Sequence, residues 1–336
     1  MIAFTCSGTG GHIYPALAMA QYLDEPEMLF IIEKDRIAAE IIPKYHYNCC
    51  YFKFSKKNIV SFIKAIIGTR KIMKEKKVTR LMSTGGYATV PVVLAAFTLR
   101  IRIVLHEQNT VPGRANRFLS FFAKKICISF NYSRRYFKNH PNVALTGNPI
   151  RTKYPSDERC MKIVNAQWAK GKRLLVFGGS QGAHAINEFI QKNHSFFKQE
   201  SVNVLHITGA TFFQSVYKQK EPVIVTNDQK EVIQVTIDYI ENMKAVYEWC
   251  DIVISRAGAT SIAELSYYNK PALLIPFPYA TDNHQEINAQ ELVANNQAIM
   301  SKQANLSRDT LYDLLKMNQS IIEKSYVVDY ERLFWE

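Results

Sequence analysis

Glu264 stands about one helical turn beyond a small-residue turn, Ser255-Arg256-Ala257-Gly258-Ala259-Thr260, that leaves an apolar stretch at residues 252–254. That spacing is the layout of a nucleotide site. The first N–H groups of a helix have no intrahelical acceptor and the helix dipole favours an anion there, so Gly258, Ala259 and Thr260 can face a diphosphate. Glu264 is then in reach of a ribose diol. Two more glycine turns of this kind precede it. Ile2-Ala3-Phe4-Thr5 runs into Cys6-Ser7-Gly8-Thr9-Gly10-Gly11-His12, and residues 173–177 run into Gly178-Gly179-Ser180-Gln181-Gly182. Acid–base groups cluster at His106-Glu107-Gln108-Asn109, and another glycine pair sits at Gly85-Gly86-Tyr87.

Strands and helices must hold these turns in place. After the first turn, Ile13, Leu17, Ala20 and Leu23 share one helical face; after the mid-chain turn, Ile186, Phe189 and Ile190 do. Two strand–glycine turn–helix openings half a chain apart predict an α/β protein of two doubly wound domains, with ligands at the C-terminal ends of the strands. A length of 336 residues with 47% hydrophobic content also suits two cores better than one. The turn-rich Gly147-Asn148-Pro149-Ile150-Arg151 marks the boundary, giving domains over 1–149 and 150–317. An amphipathic last segment, 318–336, is expected to pack back on the first.

The six cysteines (6, 49, 50, 127, 160 and 250) form no Cys-x-x-Cys pair, and no signal peptide opens the chain, so reduced thiols in the cytosol are expected. Charge is lopsided. Residues 1–150 carry a net +14 and residues 151–336 a net −1. The excess peaks between Lys53 and Arg80, where ten basic residues meet one acid, Glu75, among Ile59, Val60, Phe62, Ile63, Ile66 and Ile67. A basic amphipathic helix of this kind suits anionic lipid headgroups at about 1 kcal/mol per basic residue, or else is a solvated face over ordinary core contacts. No nucleic-acid module accompanies the charge, so nucleic acid is not an expected partner. The longest apolar run, 88–99, is too short for the ~20 residues of a membrane span, which predicts a protein lying on a membrane rather than crossing it.

Other site types fit less well. Gly8-x-Gly10 with Glu33 hints at a dinucleotide dehydrogenase, but Ile13 occupies the third glycine position. A P-loop is excluded because Ala183-His184 follows Gly182.

Taken in order, Gly8-Thr9-Gly10-Gly11-His12, Gly85-Gly86-Tyr87, His106-Glu107-Gln108-Asn109, Gly147-Asn148-Pro149-Ile150-Arg151, Gly178-Gly179-Ser180-Gln181-Gly182, Arg256-Ala257-Gly258-Ala259 with Glu264, and Asp282-Asn283-His284-Gln285 resemble the MurG family across nearly the whole chain. The resemblance implies a GT-B fold, two Rossmann-like domains facing across a cleft. It implies inverting transfer of GlcNAc from UDP-GlcNAc to lipid I, giving lipid II for peptidoglycan, at the cytoplasmic face of the plasma membrane. Partners would be UDP-GlcNAc, lipid I, an anionic membrane surface and other cell-wall synthesis proteins. Alternatives are another membrane-associated GT-B enzyme, such as a diacylglycerol glucosyltransferase, and a non-catalytic nucleotide-sugar-binding scaffold.

On the matching positions, donor contacts are expected from Arg151, Ser180, Gly258, Ala259, Thr260, Glu264, His284 and Gln285. Acceptor contacts are expected from Thr9, Gly10, Gly11, Gly86, Tyr87, Asn109 and Asn116. His12 is the favoured catalytic residue, an imidazole at the end of a glycine turn, or else orders that turn by bonding a neighbouring loop; Glu107 would act as base, orient Asn109 or hold its own loop. No Asp-x-Asp pair occurs, so no metal and no other cofactor is expected, helix termini taking over the electrostatic role. The chain departs from the family in two places. Cys6-Ser7 stands where more glycine is usual, and Ser7 tolerates positive φ poorly, so the first turn is expected to fit a diphosphate less closely than the donor turn. His284 stands where many relatives carry glutamine.

Overall fold

The computed structural model describes residues 1–23, 25–55, 58–179 and 181–317. Ser180, Lys56, Lys57 and the segment 318–336, with its expected packing, lie outside the described residues. The chain divides into two compact units, the first over Met1–Lys153 and the second beginning at Tyr154.

The first unit is a seven-stranded, wholly parallel sheet. Its strands are β1 (Ile2–Thr5), β2 (Met28–Glu33), β3 (Asn48–Phe52), β4 (Arg80–Ser83), β5 (Arg102–Glu107), β6 (Lys125–Ile128) and β7 (Val143–Leu145). They lie in the order β3-β2-β1-β4-β5-β6-β7. Its helices are α1 (Gly10–Leu23), α2 (Ile37–Ile41), α3 (Ile59–Glu75), α4 (Thr89–Thr98) and α5 (Arg114–Leu119). Strand alternation explains why both faces are covered. Phe4, Phe30 and Ile32 point to the face packed by Ile13, Leu17 and Ala20 of α1, while Ala3, Leu29 and Ile31 join Ala65 and Met73 of α3 and Val92 and Val93 of α4 on the other. The apolar run foreseen at 88–99 is therefore a core helix, α4, with Val92 and Val93 fully buried.

The second unit repeats the plan with β8 (Lys172–Phe177), β9 (Val202–Ile207), β10 (Val223–Thr226), β11 (Val232–Ile237), β12 (Ile252–Ser255), β13 (Ala272–Leu274) and β14 (Ala298–Met300). Around them lie α6 (Glu158–Val164), α7 (His184–Lys192), α8 (His194–Gln199), α9 (Ala210–Tyr217), α10 (Met243–Trp249), α11 (Ala259–Tyr267), α12 (His284–Ala294) and α13 (Arg308–Lys316). The order is β10-β11-β9-β8-β12-β13-β14. Every pairing is parallel except β10 with β11, a hairpin that glycine spacing did not announce. The short link from Thr226 to Val232 allows only a reversal, since a parallel return needs a crossover of a dozen residues or more.

Candidate active site

In a doubly wound sheet a crevice opens where two adjacent strands send their following helices to opposite faces, beyond the strands' C-terminal ends. Strand order puts that point between β1 and β4 in the first unit and between β8 and β12 in the second. The four loops leaving those strands are Cys6–Thr9, Thr84–Tyr87, Gly178–Ala183 and Arg256–Gly258 in sequence, which are the glycine turns already singled out. Topology and residue chemistry thus point to the same places.

In the first unit, positive φ falls on Gly8 (+96°), Gly85 (+92°) and Gly86 (+94°), and Ser7 is spared it. Ser7 has another job. Its N–H donates to the Gly85 carbonyl (3.2 Å) and its Oγ accepts from Ala88 N–H (3.2 Å), so the serine ties the β1 turn to the start of α4. The strain expected of a serine there does not arise. A Cβ on Gly86 would collide with the Ser7 carbonyl, so that approach requires glycine.

His12 is the third residue of α1 and is half-buried. Its Nδ1 lies 2.9 Å from the Thr84 carbonyl and 2.8 Å from Gln108 Oε1. Both partners are acceptors, so Nδ1 carries the proton and Nε2 carries the lone pair. No hydrogen bond reaches Nε2 among the described residues. The Thr84 hydroxyl also donates to the His12 carbonyl (2.8 Å), fixing the backbone.

Glu107, at the end of β5, is 1% exposed. Its carboxylate accepts from Asn109 N–H (3.0 Å), Gly113 N–H (3.2 Å) and the Asn116 amide (2.9 Å). Burial lifts its pKa above the ordinary carboxylate value, against the opposing effects of these donors and of His12. In this geometry Glu107 clasps the loop between β5 and α5. Asn116 is equally committed, donating also to the His106 carbonyl (3.1 Å) at 2% exposure, whereas Thr9, Gly11 and Tyr87 face solvent. Asn109 is half-buried, its carbonyl accepting from the Ser133 hydroxyl (2.9 Å). Gly10 opens α1 and is buried.

Arg151 belongs to this unit too. It is 3% exposed, with Nη1 2.6 Å from the Tyr45 hydroxyl and its guanidinium 3.9 Å from the Tyr14 ring centroid. That cation is engaged in fastening the end of the unit to α1.

In the second unit, α11 starts at Ala259 behind Gly258 with no side-chain cap, and α7 starts at His184 behind Ala183 in the same way. Two helix starts beside the crevice therefore present backbone donors rather than capping oxygens. Gly258, Ala259 and Thr260 form the α11 start, and the Thr260 hydroxyl is buried without a hydrogen-bond partner among the described residues. Glu264 follows on α11, 5% exposed, with Oε2 accepting from the Tyr247 hydroxyl of α10 (3.0 Å). Tyr247 is fully buried, stacked 4.9 Å from Tyr268, and burial together with Glu264 holds its phenol well above the usual pKa, so it stays a donor.

Arg256 pins the β12 turn to the end of β13, Nη1 reaching the Ile275 and Pro276 carbonyls (3.1 Å each) and Nη2 reaching Gln303 Oε1 (2.7 Å). Gln285 Oε1 accepts from Phe277 N–H (2.9 Å), which shapes the loop after β13; His284 opens α12 beside it. Asn288 donates to the Ala257 carbonyl (3.3 Å). Glu264, the α11 start, His284 and Gln285 are thus placed within one unit. Sequence reasoning gave no role to Gln108 or Arg256, although both stand in the motifs it quotes, nor to Thr84 and Tyr247, which reach His12 and Glu264 from elsewhere in the chain. Gln108 also left a spacing signal, being two residues from His106 and so on its side of the strand line.

Comparison with known proteins agrees with this geometry. Residues 2–128 match the glycosyltransferase family 28 N-terminal domain and residues 173–326 the glycosyltransferase family 28 C-terminal domain. Paired Rossmann-like units with these turns define a family 28 glycosyltransferase. The UDP-N-acetylglucosamine--N-acetylmuramyl-(pentapeptide) pyrophosphoryl-undecaprenol N-acetylglucosamine transferase of Halothermothrix orenii is 38% identical over 335 residues, covering 94% of this chain and 89% of that protein. Its namesake from Caldicellulosiruptor saccharolyticus is 36% identical over 332 residues, covering 94% and 88%. The chain belongs to the MurG family. The crystal structure of Acinetobacter baumannii MurG is similar with a TM-score of 0.67 at 25% identity, over 99% of this chain and 92% of that one. A UDP-GlcNAc 2-epimerase from Methanocaldococcus jannaschii, at a TM-score of 0.66 and 10% identity over 98% and 96%, shares the fold alone.

Proposed function

We propose that this protein transfers GlcNAc from UDP-GlcNAc to lipid I with inversion, releasing UDP and giving lipid II. The acceptor hydroxyl attacks the anomeric carbon as the bond from that carbon to the diphosphate oxygen breaks. His12 Nε2 takes the hydroxyl proton, and the diphosphate leaves with both electrons of the broken bond. Its charge is met by N–H groups at the starts of α11 and α7, and Glu264 accepts the ribose hydroxyls. His284 and Gln285 meet the donor sugar or its phosphates; Thr9, Gly11, Tyr87 and Asn109 line the acceptor side. One combination carries this reading: uncapped helix starts with a buried carboxylate behind one of them, and a histidine whose Nδ1 is occupied while Nε2 carries a lone pair.

The acceptor's lipid chain places the work at a membrane, where the protein is bound peripherally on the cytoplasmic face. Among the described residues no helix is long and apolar enough to cross a bilayer. Support comes from α3, whose inner face (Ala65, Thr69, Met73) is buried while Ile59, Ile63 and Ile67, each four residues apart, stand exposed beside Lys64, Lys71 and Lys74. Apolar side chains among lysines suit insertion between anionic headgroups.

The decisive measurement incubates pure protein with UDP-[14C]GlcNAc and a lipid I analogue. Labelled lipid II and UDP should appear one for one. Transfer only to diacylglycerol, or donor binding with no product, would replace this reading with one of the alternatives.

A further inference from the structure

We infer that Gln108 is a positioning residue: with His106 behind it, its side-chain amide joins the Thr84 carbonyl in holding the proton on His12 Nδ1 and so presents the lone pair of Nε2 to the acceptor. The inference rests on His12 being the base proposed above.

The geometry runs as one directed chain of hydrogen bonds. His106 Nε2 lies 3.0 Å from the Gly147 carbonyl, an acceptor, so that nitrogen carries the ring proton and Nδ1 is left as an acceptor. Gln108 Nε2 donates to that Nδ1 (3.1 Å) and to the His106 carbonyl (2.9 Å). A carbonyl can only accept, so the amide has one permitted orientation, with Oε1 turned to His12 Nδ1. Each link dictates the next. All of Gln108 is buried at 1% exposure and His106 at 0%, so water does not compete for these groups. Burial also drives His106 down to about 4, which keeps it neutral and its Nδ1 able to accept at any working pH.

The ionisable groups near this chain are few. Glu107 acts on His12 through its field, and His106 stands behind Gln108; both come from the β5 end. The Gly8 and Thr84 turns, which touch the His12 ring, present only backbone and a hydroxyl.

Nitrogen-15 NMR of the histidine rings in the full-length protein tests this without using activity. The wild type should show His12 protonated at Nδ1. In Gln108→Glu the carboxylate should raise the His12 titration midpoint by about one unit. In Gln108→Met, which removes the amide while keeping the volume, the midpoint should fall and kcat should drop about tenfold or more, with the KM for UDP-GlcNAc little changed. The acid limb of kcat should move in the same directions as the midpoint. A wild-type His12 protonated at Nε2, or midpoints equal in wild type and both variants, would overturn the inference. A loss of folding in Gln108→Glu leaves Gln108→Met to decide. Failure of the wild type to transfer sugar would sink the proposed activity, while the ring spectra would still judge the positioning role.

Discussion

Replacing Tyr247 with Phe removes an O–H from a buried carboxylate, an exchange worth about 1.5–3 kcal/mol for a hydrogen bond to a charged group. Because Glu264 sits on the donor side, the expected result is a KM for UDP-GlcNAc raised severalfold or more with a smaller change in kcat, read by steady-state kinetics. Equal loss in kcat and unchanged KM would detach the pair from donor binding. His12→Ala should do the reverse, lowering kcat by about 10²-fold or more while donor affinity, measured by calorimetry, stays close to wild type. Residue placement was readable where a turn announces it. The position of Glu264 on the helix behind its glycine is such a case, but the surroundings of Arg151 are not. From the chain alone its cation reads as a group for a diphosphate, whereas in the structure it meets Tyr45, 106 residues upstream, and Tyr14, contacts that no local pattern predicts.

At the scale of elements, the Ser7–Gly85–Gly86–Ala88 knot joins the β1 turn to α4, and Gly86→Ala would press a methyl into the Ser7 carbonyl at a positive φ. The expected cost is about 1–3 kcal/mol of stability, together with a kcat loss because the same turns hold His12; calorimetric unfolding and activity would report both. On α3, Ile63→Glu with Ile67→Glu should cut sedimentation with anionic vesicles and leave turnover on a water-soluble acceptor intact. Vesicle binding that survives both changes would count against that helix. Strands β1 and β4 of the first sheet were legible because each runs directly into a glycine turn, a signal that β2, β3, β5 and β6 lack. The antiparallel β10–β11 hairpin was not, since Val223-Ile224-Val225 reads like any short buried strand and only the sheet order shows it to be a half-exposed edge. Ser7 shows the limit of motif comparison. Its residue type looked like a defect in a glycine turn, and the fold uses its hydroxyl to cap a neighbour.

At the scale of the molecule, each unit carries a fully buried neutral histidine. His106 is lowered from 6.5 to about 4 and His206 from 6.5 to about 3. In the unfolded chain both take a proton near 6.5, so the stability they confer is complete above that pH and is lost as pH falls toward the folded values. By pH 5 the loss is about 2 kcal/mol for each. Calorimetry should therefore find the melting temperature dropping steadily from pH 7 to pH 5 in both units; a flat profile would mean these rings are hydrated in solution. The two-unit plan was legible because the same opening occurs twice, while two partners of the buried histidines were not: Gly147, in the loop beyond β7, and Asn187, on α7. The register of β1 carries a last consequence. Ile2 pairs with Arg80 as well as with Met28, so an interior strand of the first sheet is made first and must wait for its second neighbour. Such long-range parallel pairing slows folding, to the range of milliseconds to seconds or beyond. On the ribosome the apolar segment Ile2–Thr5 stays half-paired until β4 has emerged, an interval in which a chaperone holding the nascent chain would raise the yield.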